Sequence, residues 1–365
     1  MSDAGVAQGA AGRPSAPTVR FGFLRAIALV GKIFAVCIPG ATDSAVAVAA
    51  AANAEVLSCN DEADEADEAD ERSARLLLLR QLLEPTGPLD PEISISSSVI
   101  TPAHLHEDTL RYRVGDGAMA RALLLRPTTP GPHPAVLLIH GHDGRAEELT
   151  RVRDTYHRAL GVHLAAAGFV VLAPDVRSFG AFKIEGQGHN QYARNVRAAG
   201  DVYARLAIND ARVAFHVLQG VEGVDPDRIG IAGLSLGGFV ALVAAAAEPE
   251  IRAVVVSGLF LDWNTYFSPQ HHFCQHFVAL LALGSSVALA ADILPRPLQI
   301  HWGERDSFAG PGGGLRNTEA LVELARERGL PGLEVFVSKR SGHAFDPLAQ
   351  LDFFQRHLER SSTCP

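Results

Sequence analysis

Two segments of the chain, AVLLIH (135–140) and FVVLAPD (169–175), are continuous apolar runs, and RIGIAG (228–233), IRAVVVSG (251–258), PLQIHWG (297–303) and LEVFVSK (333–339) are strand-like. A strand with one wet face alternates polar and apolar residues, so continuous runs of this length predict strands buried on both faces. Between them lie stretches with helical periodicity at 201–220, 236–247 and 317–328, and the chain closes on a helix at 346–360. Two further strand patterns, TLRYRV (109–114) and ARALLLRP (120–127), predict an antiparallel pair ahead of this series. Strands alternating with helices predict an α/β class domain with a doubly wound, mostly parallel sheet. In such sheets the functional groups gather at the carboxyl ends of the strands.

The first 60 residues follow another pattern. There is no acid between Asp3 and Asp43, the bases are Arg13, Arg20, Arg25 and Lys32, and the apolar stretches are interrupted by Lys32 and Asp43. A basic start, an apolar middle and small residues near Ala49–Ala54 fit a targeting segment, and the interruptions argue against a stable membrane span. VLSC, ending at Cys59, resembles a lipoprotein lipobox, and an Arg-rich organellar transit peptide fits the same residues. Secretion, lipid anchoring and organelle import stay open, with cytoplasmic location if the segment is not a signal. DEADEADEADE (61–71) then reads as an acidic spacer, because acids three and four apart repel on a helix. RSARLLLLRQLLEP (72–85) predicts a short helix with Leu76, Leu79 and Leu83 on one face, Arg75 and Arg80 opposite, and Pro85 as its stop. The expected organisation is 1–60 targeting segment, 61–72 spacer, 73–108 helix and lead-in, and 109–365 catalytic domain.

Charge changes the picture little. The net charge is −9, and the eight acids of Asp61–Glu71 account for all but one unit of it. The remainder has no basic field for nucleic acid. The four cysteines (Cys37, Cys59, Cys274, Cys364) are too far apart for a disulfide framework or a metal-ligand spacing.

Candidate chemistry sits at one turn. Gly233-Leu234-Ser235-Leu236-Gly237 follows the strand pattern RIGIA and precedes the Ala-rich helix pattern at 236–247. This is Gly-x-Ser-x-Gly in the strand–turn–helix context of a nucleophile elbow, where a strained turn exposes the serine hydroxyl. A serine needs a base. His343 lies in SGHAFD directly after the last strand pattern. An acid that orients the imidazole is expected after the preceding strand, where Asp306 stands in HWGERD, with Glu304 and Asp262 as rivals. An oxyanion hole needs two donors. The backbone N–H of Leu236 is one, and the loop HGHDG (140–144) offers the backbone N–H of His142 as the other, with the His140 and His142 rings expected to be structural. HHFCQHF (271–277) holds three histidines and Cys274, but that spacing scatters them around a helix, so no metal site is expected there. It reads as a cap segment in which His271 and His272 face the substrate pocket. Asp175 and Arg177 in PDVRSFG are expected to brace a loop. No cofactor is implied.

The pieces LLIHGHDG, VVLAPDVRSFG, VDPDRIGIAGLSLGG, LPRPLQIHWGERD and SGHAFD resemble the dienelactone hydrolase and acetyl xylan esterase-like branch of the α/β-hydrolases, over about residues 109–360. The order Ser235, Asp306, His343 is the chain order of that fold. The resemblance implies an α/β-hydrolase fold with a small helical cap, and a serine esterase acting on small or accessible esters. Dienelactone hydrolases proper use cysteine where Ser235 stands, so lactone hydrolysis is not implied, and relatives often carry glycine where Asp143 stands. The competing readings are a serine peptidase of the prolyl oligopeptidase type, a thioesterase or acyltransferase, and a non-catalytic binding module of the same fold.

Overall fold

The computed structural model describes residues 61–359 other than 85–92, 102, 152–154, 185, 270 and 311–312. The expected targeting segment lies outside the described residues. One nine-stranded sheet organises the rest: β1 (Ile93–Ile100), β2 (His106–Arg113), β3 (Met119–Arg126), β4 (His133–Ile139), β5 (Val170–Pro174), β6 (Val224–Leu234), β7 (Ala253–Ser257), β8 (Leu298–Gly303) and β9 (Leu333–Ser338). Their order across the sheet is β1-β2-β3-β5-β4-β6-β7-β8-β9. The β1–β2, β2–β3 and β3–β5 pairs are antiparallel, and every other pair is parallel.

Each expected strand is present within a few residues. All five residues of β5 and of β7 and all six of β8 are buried, as continuous apolar runs require. The helices Tyr203–Gln219 and Leu236–Ala247 cover one face of the sheet within the larger core cluster. Leu160–Ala166 and the closing helix Pro347–Leu358 contribute to the core on the other. β1 was not expected. Its sequence ISISSSVI is half serine and exposed throughout, so it carries no burial signature, and backbone pairing to β2 alone makes it a strand. The sheet therefore begins at Ile93, inside the stretch read as a lead-in.

The acidic repeat is helical despite the repulsion its spacing implies. Asp61–Leu82 is one helix that includes it. Ala and Glu are strong helix formers, and acids in the first turns complement the helix dipole, which offsets part of the repulsion. Glu68 also pairs with Arg328 at 3.1 Å. Leu79 and Leu83 are fully buried and Leu76 half-buried, in keeping with the apolar face. Arg75 and Arg80 do not form a free opposite face. Arg75 reaches Asp292 at 2.6 Å, and Arg80 donates to the Ala247 carbonyl at 3.4 Å, because long guanidinium stems fold back onto the body.

Register brings the candidate residues together. Ile139 lies opposite Gly233, Leu234 opposite Ser257, Ser257 opposite His301, and His301 opposite Phe336. The parallel strands thus end nearly level, and the loops carrying His142, Ser235, Asp262, Asp306 and His343 leave one edge of the sheet.

Candidate active site

The turn between β6 and the helix Leu236–Ala247 is as sharp as its sequence implies. Ser235 takes φ 58° and ψ −120°, a strained conformation for a residue with a side chain. Its N–H donates to the Ser257 carbonyl at 2.8 Å, which pins the turn to β7. Glycine is required on both sides. A Cβ at Gly233 would lie 1.9 Å from the Gly237 carbonyl oxygen, and one at Gly237 would lie 2.2 Å from that of Ile139. Strand and helix therefore cross too closely for any side chain, and Ser235 is left partly exposed at the sheet edge.

His343 stands on the loop after β9, over Gly258 and Leu234. A Cβ at Gly258 would come within 2.8 Å of the His343 ring. Its Nδ1 meets Asp306 Oδ2 at 2.7 Å. That carboxylate is fully buried, whereas the imidazole is 28% exposed, so the acid is fixed and the ring opens toward the cleft. Asp306 Oδ1 accepts from the Phe308 N–H at 2.9 Å, which sets the carboxylate plane. The rivals are engaged elsewhere. Asp262 caps the helix Trp263–Tyr266, accepting from the Asn264 and Thr265 amides at 3.0 and 3.1 Å. Glu304 accepts from the Arg340 amide at 2.8 Å. A hydrogen bond between Ser235 Oγ and His343 is not among those formed. In ligand-free hydrolases this contact is often long and tightens on substrate.

The other wall is the loop His140–Gly144. Among the described residues, the amides of His142 and Leu236 donate no hydrogen bond within the protein, which leaves both free for a ligand oxygen. Gly141 packs against the elbow, where a Cβ would lie 3.2 Å from Ser235 Cβ. Asp143 takes φ 56°, a left-handed conformation that glycine adopts freely and aspartate tolerates.

The loop is fastened by side chains that sequence reasoning passed over. His157 Nε2 accepts from the Gly141 N–H at 2.9 Å, and its Nδ1 meets Glu148 at 2.9 Å. The Tyr156 hydroxyl donates to the His142 carbonyl. Nothing in the local sequence marks Tyr156 and His157, which lie between two short helices. His140 is structural, as expected: Nδ1 meets the Gly141 carbonyl at 2.7 Å and Nε2 accepts from the Val176 N–H at 2.9 Å. Burial pushes the His140 and His157 imidazoles below the usual range, so both are neutral at pH 7 and can each accept one of these N–H groups. Beneath the site His301 bridges Ser257 and Ser338 at 2.8 and 2.9 Å, and burial lowers it to about 4.

The expected pocket and bracing residues lie nearby. His272 stacks on His142 with ring centroids 4.3 Å apart. His271 presents an edge to Phe308 at 6.1 Å, and Phe308 packs on His343 at 5.3 Å, so Phe308 is a further wall residue. The segment between β7 and β8 is a small cap of short helical turns (Trp263–Tyr266, Phe273–Gln275, Val278–Leu283, Ser286–Ala291). Asp175 and Arg177 both brace loops, though not with each other. Asp175 binds Arg121 at 3.0 Å and the Ala146 and Ala181 amides, and Arg177 binds Asp116 and Asp210 at 2.6 and 2.7 Å.

Comparison with known proteins agrees with this architecture. The family model for acetyl xylan esterase matches residues 88–265. YtaP of Bacillus subtilis (strain 168), named as a hydrolase, is 27% identical over 277 residues, which are 72% of this chain and 92% of that protein. A Bradyrhizobium protein named as a 2-oxo-3-(5-oxofuran-2-ylidene)propanoate lactonase is 32% identical over 233 residues, 63% of this chain and 80% of that one. Among solved structures, acetyl xylan esterase 1 from Thermoanaerobacterium superposes with a TM-score of 0.53 at 22% identity, covering 79% of this chain and 93% of that one. The chain belongs to the α/β-hydrolase superfamily together with the Bradyrhizobium protein, and over residues 88–265 it resembles the acetyl xylan esterases. It is an ester-hydrolysing enzyme. No helix among the described residues is long and apolar enough to cross a membrane.

Proposed function

We propose that the chain is a serine carboxylic ester hydrolase that works through an acyl-enzyme, with Ser235 as nucleophile, His343 as base and Asp306 as its partner. The observation that carries this reading is the His343–Asp306 contact of 2.7 Å on loops that leave the sheet beside the Ser235 elbow.

Ser235 Oγ attacks the ester carbonyl carbon while His343 Nε2 takes its proton. The imidazolium that forms is held by the Asp306 carboxylate through Nδ1–H. The carbonyl oxygen becomes an oxyanion and is met by the Leu236 and His142 amides, each such donor contributing about 10²–10³ in rate. Nε2–H then protonates the departing alkoxide as the C–O bond breaks, leaving an ester on Ser235. In the second half, Nε2 takes a proton from water, the hydroxide attacks the acyl carbon, and Ser235 leaves with that proton as the free acid departs. The balance is one water consumed per ester cleaved.

A buried aspartate on Nδ1 keeps the proton there and presents the Nε2 lone pair to the cleft, which is the tautomer a base needs. The wall of His271, His272 and Phe308 suits a small, partly polar acyl or alcohol group. Because one relative is named as a lactonase, cyclic esters belong in the substrate panel beside acetyl and butyryl esters.

The test is labelling by a fluorophosphonate together with hydrolysis of p-nitrophenyl acetate, for the wild type and Ser235→Ala. Stoichiometric labelling and turnover that both disappear in the mutant are expected. Equal inertness of both proteins would overturn the reading and favour a binding module of this fold. Faster turnover of thioester or aminoacyl-amide substrates would redirect it within the hydrolases.

A further inference from the structure

Three side chains from distant parts of the chain converge beside the oxyanion loop. His142 Nε2 lies 3.1 Å from His189 Nε2 and 3.5 Å from Cys274 Sγ. All three donor atoms lie within 4.8 Å of one another. Cys274 is buried and has no disulfide partner among the described residues.

We infer that His142, His189 and Cys274 form a binding site for one zinc-type divalent ion with an open fourth position. Zn–N distances near 2.0–2.1 Å and Zn–S near 2.3 Å place tetrahedral ligand atoms about 3.3 Å apart for two nitrogens and about 3.6 Å apart for nitrogen and sulfur. The two close distances fall within the tolerance of about 0.2 Å expected of such a site, and His189 Nε2 and Cys274 Sγ, within 4.8 Å of each other, draw together by about 1 Å when the ion binds. One thiolate with two imidazoles is a donor set suited to zinc.

The hydrogen-bond arithmetic points the same way. His142 Nε2 carries either one proton or one lone pair, yet it meets two polar groups. An ion between the three atoms takes a lone pair from each. A ligating imidazole also needs its far nitrogen held, and His189 Nδ1 meets Ser178 Oγ at 2.8 Å. His189 ligates from the first turn of the helix His189–Ala198, and Cys274 from the short turn Phe273–Gln275 of the cap. The ion thus ties three segments around the pocket: the oxyanion loop, the helix start and the cap. Three protein ligands leave the fourth position for water or a substrate oxygen, the pattern of open zinc sites. Binding releases the thiol proton to solvent, so charge and protons balance without a further reactant.

The full-length protein, stripped with chelator, reloaded with zinc and freed of excess by gel filtration, should retain about one zinc per chain by mass spectrometry, and Cys274→Ala less than about a tenth of that. Cobalt in place of zinc should give intense tetrahedral d–d bands and a thiolate-to-cobalt charge-transfer band that Cys274→Ala removes. His189→Gln, on the helix start, is the second variant should Cys274→Ala fail to fold by circular dichroism, and it should lose the metal likewise. Failure of the reloaded wild type to hold zinc would overturn the site. So would equal zinc in the wild type and the variant, which would put the metal on other residues. Ester hydrolysis is no part of this readout, so the site and the esterase mechanism can fail separately.

Discussion

The two walls of the cleft use the same side chain in opposite ways. On the Asp306 side, one imidazole is partly exposed, bonded to a buried carboxylate and open at Nε2. On the oxyanion side, His140 and His157 are fully enclosed and spend their ring nitrogens on their own loop, Val176 and Glu148. The first arrangement can gain and lose a proton during turnover. The second can only hold backbone in place, because protonation would put a poorly solvated charge where an acceptor is needed. Exposure and partner decide what a histidine does; its presence near a serine does not.

The sharpest way to break this contrast is to remove a group that moves protons. Ser235→Ala and His343→Ala should each lower kcat by about 10⁴-fold or more, leaving what the oxyanion hole and binding provide. Asp306→Asn should cost about 10⁴ in kcat by stabilising the wrong tautomer. Asp262→Ala should leave kcat within a few-fold and remove about 1 kcal/mol of stability through the lost helix cap. The reverse ranking would move the triad acid to Asp262.

On the opposite wall the expected effect is smaller and of another kind. His157→Ala frees the Gly141 amide and loosens the loop that carries the His142 donor. It should lower kcat by about 10–10²-fold with little change in KM, less than the loss of an oxyanion donor outright. Steady-state kinetics on a single acetyl ester distinguishes this from a binding defect. A drop equal to that of His343→Ala would mean that His157 takes part in proton transfer.

The pH dependence of stability sharpens the comparison further. His140, His157, His189 and His301 all have folded values depressed by burial, His189 and His301 to about 4. The unfolded chain therefore binds protons that the folded one does not. Their contribution to stability is full above about 6.5 and is lost progressively as pH falls toward 4. His216, raised by Glu248, works in the opposite sense but is one group against several. The urea midpoint should fall between pH 6.5 and 5, above the range in which carboxylates titrate. A flat profile there would mean that the enclosed rings are solvated.

The smallest effect belongs to the rim. Phe308→Ala, which removes the ring against His343, should change the ratio of acetyl to butyryl ester turnover several-fold, with Asp306 and the elbow unaffected. Rates on two chain lengths measure it.

Much of the fold was legible in the sequence. The strands β4 to β8 declare themselves as apolar runs because both their faces are covered, whereas β9, at the far edge of the sheet, leaves Val335, Phe336 and Val337 exposed. Gly233, Ser235 and Gly237 declare the elbow because a turn that tight admits few residue types. β1 did not declare itself, since an exposed, serine-rich edge strand has no burial pattern and takes its form from its neighbour. The acidic repeat is helical because the helix-forming strength of Ala and Glu offsets the repulsion between acids three and four apart, a balance that charge spacing alone does not reveal.

Within the candidate site the same division holds. The chain order of Ser235, Asp306 and His343 could be read because each follows its own strand, and a parallel sheet delivers strand ends to one edge whatever the details of packing. The pairing of His343 with Asp306 rather than Asp262 was a matter of loop geometry. So were the His157 clasp on Gly141 and the meeting of His142 with His189 and Cys274, 47 and 132 residues away along the chain. Local sequence patterns encode turns and burial, which are properties of neighbouring residues. Contacts between loops depend on where the sheet sets their ends and how the cap folds over them, and those were decided only in three dimensions.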